Sequence, residues 1–341
     1  MPARHLPLLL LLALLMPGCG GNGGDGGGGD QGGRQEGRRA AETRRSLNGA
    51  DRPREADFPK PERGQTLQAF ADSIGATGTK VGFATSVVEP GRDRIAFGVL
   101  NDQNSFVYGP SAIYVARSPS STRVDGPYLA PADLLVTEPA YRSQQAATET
   151  DPFAAVYEAE NVRFPRAGDY AILIVTKVGG RLVAAASQVR VGENRTIPDV
   201  GDRPPAVATD TVTSAGSLEA IDTRRPPARE LHEESFDQVL GRKPVALLFA
   251  TPQLCQSRVC GPVTDIALQM RARYGDRMEF IHQEVYVGNN QQNGLREPLK
   301  RFGLETEPWL FTVGRDGRIA ARLEGSFGLN AFEDAIQAAL R

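Results

Sequence analysis

Hydrophobic and polar positions divide the chain into regions of different character. Residues 6–16 form one unbroken apolar run, and residues 18–33 are mostly glycine with Asn, Asp and Gln. From residue 79 to residue 191, short apolar runs alternate with turn residues and show no helical periodicity. That pattern is typical of an antiparallel β-sandwich. After residue 245, strand-like runs alternate with stretches of helical spacing, which predicts a mixed α/β unit.

The middle region is predicted to be an all-β unit. Its candidate strands are residues 81–88, 94–100, 112–117, 153–160, 170–176 and 181–191. Tyr170 follows a corner at residues 164–169 and enters an apolar strand, which resembles the tyrosine corner of immunoglobulin-like folds. The region contains no cysteine and no catalytic cluster. We therefore interpret residues 77–196 as an immunoglobulin-like β-sandwich that serves as a binding or spacer module.

The C-terminal region is predicted to alternate strands and helices. A short helix at residues 235–240 precedes a strand at 245–250, a helix at 262–274, a strand at 278–287, a helix at 295–302, strands at 309–313 and 318–323, and a helix at 331–340. Gly314 to Gly317 carries a hairpin turn signal between the last two strands. Asn330 with Glu333 predicts a capping box at the start of the last helix.

The N-terminal apolar run has the layout of a secretory signal. Arg4 and His5 precede it, and the run is too short to span a bilayer comfortably. Cys19 follows Gly18 at its end, which resembles the bacterial lipoprotein signal, although Met16 and Pro17 depart from the commoner residues there. The resemblance implies cleavage after residue 18, lipidation of Cys19 and an anchor on the extracytoplasmic face of the bacterial membrane. Ordinary secretion with a stray cysteine is the alternative.

Two segments lack a periodic apolar face and are predicted to be linkers. Residues 19–76 are glycine-rich and then charged, which indicates a flexible, disordered tether. Residues 197–229 are punctuated by prolines and form a second linker. A GxGxxG spacing at residues 21–26 has no strand before it and no helix after it, so it does not indicate a dinucleotide site.

Composition and missing motifs exclude several classes of function. The 341 residues carry a net charge of -2, which gives no reason to expect a nucleic-acid partner. The sequence has no zinc-protease, calcium-loop, serine-hydrolase or P-loop motif. We predict no cofactor and no metal, and we expect a monomer.

Cys255 and Cys260 lie between the strand at 245–250 and the helix at 262–274. Backbone N–H groups and the helix dipole favour a thiolate at such a helix start. If Cys19 carries lipid, these two are the remaining thiols. In an oxidising compartment a pair so close in sequence is expected to form a disulfide at least part of the time.

The C-terminal third is similar to thioredoxin-family domains. Cys260-Gly261-Pro262 matches the start of the family's Cys-Gly-Pro-Cys redox motif, and Pro308 resembles the family's cis-proline before the first hairpin strand. The order of strands and helices is also that of the family. The resemblance implies a thioredoxin-like domain over residues 230–341, with Pro308 facing the cysteine loop. It implies exchange with extracytoplasmic protein thiols and disulfides, with Cys260 attacking and Cys255 resolving, or the reverse.

Two departures from the family leave other functions open. Val263 stands in place of the resolving cysteine, and Leu248 lies near the position of the buried acid that moves protons in thioredoxins. The cysteine pair is therefore either redox-active or a static disulfide in a non-catalytic binding or scaffold protein. The third hypothesis is Cu(I) handling, as in the Sco-type copper chaperones of the same fold. Those proteins use Cys-x3-Cys and a histidine before the late hairpin, whereas residues 305–309 contain no histidine.

Three further residues receive structural interpretations. His282 lies in the middle of a predicted strand and is interpreted as a histidine whose hydrogen bonds are satisfied there. Trp309 is interpreted as packing the hairpin. Glu307, beside the predicted position of the cysteines, is expected to raise a thiol pKa if it is ionised.

Overall fold

The computed structural model describes residues 47, 49–75, 78–149, 151, 153–194 and 196–341. The predicted signal peptide, Cys19 and the glycine-rich stretch lie outside these residues. Among the helices of the described part, none is both long and apolar enough to cross a membrane.

The described residues form a β-rich unit followed by an α/β unit. The first contains α1 (Leu67–Ile74), β1 (Thr79–Phe83), β2 (Gly91–Asn101), β3 (Ser111–Ala116), β4 (Asp125–Ala130), β5 (Ala132–Leu134), β6 (Ala155–Phe164), β7 (Gly168–Val178) and β8 (Arg181–Val191). The second contains α2 (Phe236–Val239), β9 (Val245–Phe249), α3 (Cys260–Tyr274), β10 (Glu279–Gln283), α4 (Glu297–Phe302), β11 (Trp309–Val313), β12 (Ile319–Glu324) and α5 (Leu329–Ala339). Short 3-10 turns lie at Glu55–Asp57, Pro139–Tyr141, Leu218–Ala220, Arg229–Leu231, Val287–Asn289 and Gln291–Asn293.

The β-rich unit consists of two antiparallel four-stranded sheets with the strand orders β1-β2-β6-β5 and β4-β3-β7-β8. Buried apolar side chains of β2, β3, β6 and β7 form one shared core. The hydroxyl of Tyr170 donates to the carbonyl of Arg166 at 2.9 Å and accepts from its N–H at 3.3 Å, closing the corner before β7. Strand β4 was not predicted, because Gly126-Pro127 has the composition of a turn. Proline is tolerated there because β4 is an edge strand.

Part of the predicted tether is folded. Helix α1 places Leu67 and Phe70, with 4% and 2% of their surfaces exposed, in a cluster with Tyr114 and Leu173 of the second sheet. The hydroxyl of Thr66 caps the helix by accepting from the N–H of Ala69 at 3.1 Å. The prediction of a disordered tether is therefore wrong for residues 49–75. The physical reason is that the outer face of this sheet is apolar, and the helix removes it from water.

The α/β unit has a sheet of order β10-β9-β11-β12, in which β10 is parallel to β9 and β11 is antiparallel to both of its neighbours. One face packs on α3 and α5, and the other packs on α2 and α4. The predicted order of strands and helices from residue 245 onward is confirmed.

The two units meet through buried polar contacts. The carboxylate of Asp133 accepts from the backbone N–H groups of Asn330 and Ala331 at 3.0 and 2.9 Å. The β-rich unit thus caps α5 of the α/β unit. The predicted capping box is wrong, because Glu333 instead accepts from the hydroxyl of Tyr274. Because the capping residue Asp133 belongs to the other unit, the sequence around the start of α5 does not indicate it.

A buried arginine also joins the units. Arg94 of β2 is ion-paired with Glu158 of β6 at 2.8 Å. The same guanidinium donates to the carbonyl of Glu324 at 3.0 Å and to the carbonyl of Ser326. The Glu324 carboxylate in turn accepts from the N–H and the hydroxyl of Ser86 at 2.8 and 2.6 Å. The position of the β-rich unit on the α/β unit is thus set by directional bonds.

The segment predicted as a second linker packs into the α/β unit. Asp222, Thr223 and Arg224 are 0%, 2% and 3% exposed. The guanidinium of Arg224 pairs with Asp265 of α3 at 2.8 Å and donates to the carbonyl of Tyr141 at 2.7 Å. Residues 197–229 are therefore not a solvated linker over this stretch. Hydrogen bonds of polar side chains hold this segment in place. The spacing of apolar residues along the sequence cannot predict such bonds.

Replacing Asp133 with alanine is expected to lower the free energy of unfolding by about 1 kcal/mol, the usual cost of a lost helix cap. Thermal unfolding of the purified variant measures the effect. Asp102→Ala, in an exposed turn, is the control. Equal midpoints for the two variants would show that the Asp133 cap does not contribute.

Candidate active site

The structure joins Cys255 and Cys260 in a disulfide with a Cα–Cα distance of 6.0 Å. Cys260 is the first residue of α3 and is 0% exposed. Cys255 lies five positions upstream on the loop after β9 and is partly exposed. Of the two residues, Cys255 is the one that solvent and a partner can reach.

Local backbone bonds shape the cysteine loop. The N–H of Cys255 donates to the carbonyl of Thr251 at 3.1 Å, and the N–H of Arg258 donates to the carbonyl of Cys255 at 3.2 Å. Arg258 has a φ of 61°, which turns the chain toward α3. A Cβ on Gly261 would lie 2.5 Å from the backbone oxygen of Gln145 in the β-rich unit. The glycine after Cys260 is therefore required by the close approach of the other unit.

Glu307 lies against the buried sulfur. Its Oε2 atom is 3.6 Å from Sγ of Cys260 and accepts from the N–H of Thr251 at 2.7 Å. Burial raises the pKa of Glu307 to about 8, and the Thr251 bond offsets the rise only in part. The carboxyl group is therefore mostly protonated at neutral pH. Its pKa is close to the value of about 8.5 for an ordinary thiol, so it is suited to exchange a proton with Cys260.

Sequence reasoning placed Glu307 near the cysteines but did not identify it as an acid. The peptide bond between Glu307 and Pro308 is cis, as the resemblance implied. In the strand before the cysteine loop, Leu248 is fully buried and pairs with Leu310 and His282. The partly buried carboxyl group beside Cys260 therefore lies in the loop that carries Pro308, and not in this strand.

An apolar cavity of about 670 Å³ opens beside the cysteine loop, between the two units. The β-rich unit contributes aromatic and aliphatic side chains, and the α/β unit contributes the end of the cysteine loop and the cis-proline. The main lining residues are Phe83, Phe97, Phe106, Leu135, Phe153, Val156, Ser257, Arg258, Val259, Glu307 and Pro308. The guanidinium of Arg258 lies over the ring of Phe153, with 5.5 Å to the ring centroid.

Comparison with known proteins gives a weak structural likeness. No protein-family model and no curated protein matches the sequence. Among solved structures, the chain is similar to a Chlorobium tepidum protein designated thiol:disulfide interchange protein DsbE. The identity is 18%, the match covers 42% of this chain and 99% of that chain, and the TM-score is 0.31.

Trp309 packs as predicted. It is 1% exposed, stacks on Phe311 with ring centroids 5.7 Å apart, and donates through Nε1 to the hydroxyl of Thr306 at 3.0 Å.

His282 is only partly satisfied by its strand. Its Nε2 bonds to the carbonyl of Ala250 at 2.9 Å, whereas Nδ1 has no hydrogen-bond partner among the described residues. Burial lowers its pKa. Its nearest potential metal-ligating neighbours are Asp222 and His232, and the donor atoms of the three lie within 4.8 Å of one another. Neither cysteine belongs to this group.

Proposed function

We propose that the chain carries out dithiol–disulfide exchange with protein thiols through Cys255 and Cys260, in a thioredoxin-like domain over residues 230–341. The observation that carries the proposal is the placement of the buried Cys260 sulfur, 3.6 Å from the carboxyl group of Glu307. A disulfide that only pins a loop has no need of a proton donor with a pKa near that of a thiol. Pro308 lines the cavity next to the pair.

Exposure favours Cys255 as the residue that reacts with the client and Cys260 as the resolving residue. Thiol–disulfide exchange requires the attacking sulfur to reach the attacked sulfur. Cys260 is fully buried, whereas Cys255 is partly exposed. The proposed roles are therefore the reverse of the order that the sequence favoured.

The exchange consists of two successive attacks by client thiolates. A client thiolate attacks Sγ of Cys255, which forms a mixed disulfide and releases Cys260 as a thiolate. Backbone N–H groups at the start of α3 stabilise that thiolate, and Glu307 gives it a proton. A second client thiolate then attacks the client sulfur of the mixed disulfide and releases Cys255. The client loses two electrons and the protein gains them. The reverse sequence reduces a client disulfide.

The apolar cavity is proposed to hold the client beside Cys255. It joins the cysteine loop to the aromatic side chains of the β-rich unit, which we propose to be an immunoglobulin-like sandwich. An extended polypeptide with a bulky apolar side chain near its cysteine fits this lining. The sandwich would thus present the client to the disulfide.

We also propose that the protein lies outside the cytoplasm, on the membrane surface. This location is supported by the leader-like residues before Cys19, which we propose as the lipidated residue, and by the disulfide itself, since such bonds persist in oxidising compartments. A monomeric state stays a prediction.

A static disulfide in a binding or scaffold protein is the rival function, favoured by the complete burial of Cys260. Catalysed reduction of insulin by dithiothreitol distinguishes the two. The wild-type protein is expected to accelerate the reaction, and the Cys255→Ser/Cys260→Ser double variant is not. A wild-type rate equal to the rate of the double variant rules out the proposed function.

Replacing Phe106 with alanine is expected to lower kcat/KM about 5-fold on an apolar polypeptide disulfide, because the half-buried ring contributes apolar surface to the cavity. The rate with glutathione disulfide should not change, because glutathione has no bulky apolar side chain. Val200→Ala, at an exposed position outside this cavity, is the control. Equal losses on both substrates would contradict a role in client binding.

A further inference from the structure

Two imidazoles and one carboxylate meet in the interior of the α/β unit. Asp222, His232 and His282 are each 0% exposed. Nε2 of His232 lies 3.4 Å from Oδ2 of Asp222, and Nδ1 of His282 lies 3.7 Å from Oδ1. None of these three residues takes part in the proposed exchange, so their arrangement needs its own explanation.

The hydrogen bond of His282 fixes the state of its ring. The carbonyl of Ala250 can only accept, so Nε2 carries a proton. In the neutral ring, Nδ1 then carries a lone pair that faces a carboxylate oxygen of Asp222. Two electron-rich atoms that face each other repel unless a proton or a metal cation lies between them. A ring nitrogen bonded to a backbone carbonyl, with the other nitrogen free, is also the usual arrangement of a metal-ligating histidine.

The imidazole ring of His232 faces the same carboxylate. Both of its ring nitrogens are buried and make no hydrogen bond within the described residues, although Nε2 approaches Oδ2 of Asp222 to 3.4 Å. A buried polar atom left unpartnered costs about 1 to 3 kcal/mol. The turn Arg229–Leu231 places the residue there, because the N–H of His232 donates to the carbonyl of Arg229 at 3.0 Å.

The carboxylate of Asp222 is held in position by the backbone. Oδ1 accepts from the N–H of Arg224 at 2.8 Å, and Oδ2 accepts from the N–H of Ala228 at 2.7 Å. Such bonds orient a ligating carboxylate in the way that outer contacts orient metal ligands. The arrangement therefore offers two nitrogen donors and one fixed oxygen donor.

We infer that Asp222, His232 and His282 bind a divalent first-row metal ion, with Zn²⁺ the cation that the donors fit best. Zinc bonds of about 2.0 to 2.2 Å in a tetrahedron separate neighbouring donors by roughly 3.3 to 3.6 Å. The separations of 3.4 and 3.7 Å, each to a different oxygen of Asp222, are close to this spacing, and the three donor atoms lie within 4.8 Å of one another. Imidazole and carboxylate are ligands that suit Zn²⁺. A metal site was not predicted from the sequence, because these residues are far apart along the chain and form no local motif.

The complete burial of the donors points to a structural role. The site joins the segment that carries Asp222 and His232 to strand β10. Next to Asp222, the hydroxyl of Thr223 accepts from the N–H of Gln253 in the cysteine loop at 3.1 Å, and the N–H of Thr223 donates to Glu284 at 2.7 Å. The ion would hold the segment that carries Asp222 and His232 against the cysteine loop. This inference does not depend on the proposed thiol chemistry.

Metal content of the purified full chain tests the inference. The thiols are kept oxidised or alkylated so that they cannot bind metal, and the chain is stripped with a chelator and titrated with Zn²⁺. We expect one equivalent of Zn²⁺ per chain and a thermal midpoint raised by several degrees. Co²⁺ should give visible d–d bands without a thiolate charge-transfer band. His232→Ala and His282→Ala should bind at least about 100-fold more weakly, whereas Glu233→Gln, at an exposed carboxylate of the same segment, should bind normally.

Three results would overturn the inference. The first is a wild-type chain that retains no stoichiometric Zn²⁺ and shows no midpoint shift, which would mean that an imidazolium proton balances Asp222. The second is undiminished binding by both folded histidine variants. The third is a Co²⁺ spectrum of the wild-type chain with thiolate or purely oxygen ligation. The first and third use the wild-type protein, so they decide the question even if the variants fail to fold.

Discussion

Replacing Cys255 with serine is expected to abolish exchange with protein substrates, with a loss of at least about 10³-fold, because the variant lacks the sulfur that the client reaches. Cys260 keeps its thiol in this variant, but it is 0% exposed at the start of α3. A client disulfide cannot approach it without opening of the loop. Initial rates of insulin reduction with dithiothreitol measure the loss.

The matching variant, Cys260→Ser, is expected to fail in a different way. Its exposed Cys255 still attacks a client disulfide, but no neighbouring thiol resolves the mixed disulfide that forms. The adduct should accumulate and be visible by mass spectrometry of the intact protein. Ser120→Ala, at an exposed position outside the cavity, is the control. The roles are reversed if adducts accumulate on Cys260 in the Cys255→Ser variant and none accumulate on Cys255 in the Cys260→Ser variant.

Replacing Glu307 with glutamine is expected to slow opening of the disulfide by a client thiol about 10²-fold at pH 7, the lower end of the range for general acid catalysis. Glutamine preserves the shape of the side chain and accepts from Thr251, but it cannot give a proton to Cys260. The pKa of Glu307 is raised to about 8, first of all by burial, so the acid form dominates at pH 7. Stopped-flow rates, corrected for the fraction of client thiolate, measure the effect.

The pH dependence gives the sign of the Glu307 effect. As the pH rises through about 8, the wild-type opening rate should fall, because the carboxyl group loses the proton that it donates. The Glu307→Gln rate should be flat over the same interval. Glu305→Gln, an exposed carboxylate of the same loop, should keep the wild-type profile. A wild-type profile without an inflection near pH 8 would contradict the role of Glu307 as the acid.

The same group makes the stability of the oxidised protein depend on pH. Its pKa is raised from 4.5 in the unfolded chain to about 8 in the folded protein, mainly by burial. Between these values the folded state holds a proton that the unfolded state has lost, so the free energy of unfolding falls as the pH rises. Denaturant unfolding at pH 6 and pH 8.5 should show less of this fall in Glu307→Gln. An identical fall in the variant and the wild-type protein would mean that other groups produce it.

The sequence predicted the α/β unit well because its signals are local. Buried strands and helical spacing follow one another from residue 245 onward, and Cys260-Gly261-Pro262 marks the start of a helix. The cis peptide bond before Pro308 was implied by the family resemblance. The pairing of Cys255 with Cys260 was predicted from their spacing and from an expected oxidising compartment alone.

The parts that the sequence did not predict depend on contacts between distant residues. The pKa of Glu307 is set by burial, which exists only once the loop packs on the cysteines. The cap of α5 comes from Asp133, nearly 200 positions away along the chain. Asp222 and Arg224 are held by hydrogen bonds and an ion pair, so their segment looks like a linker when only apolar periodicity is considered.

The reduction potential of the Cys255–Cys260 pair tests the central claim most directly. It is measured by equilibrating the purified protein with glutathione or dithiothreitol buffers and quantifying the reduced fraction by alkylation and mass spectrometry. Exchange with client proteins predicts a potential within the range of known oxidoreductases, about −120 to −270 mV. A potential below about −300 mV, the range of structural disulfides, would contradict the proposed exchange.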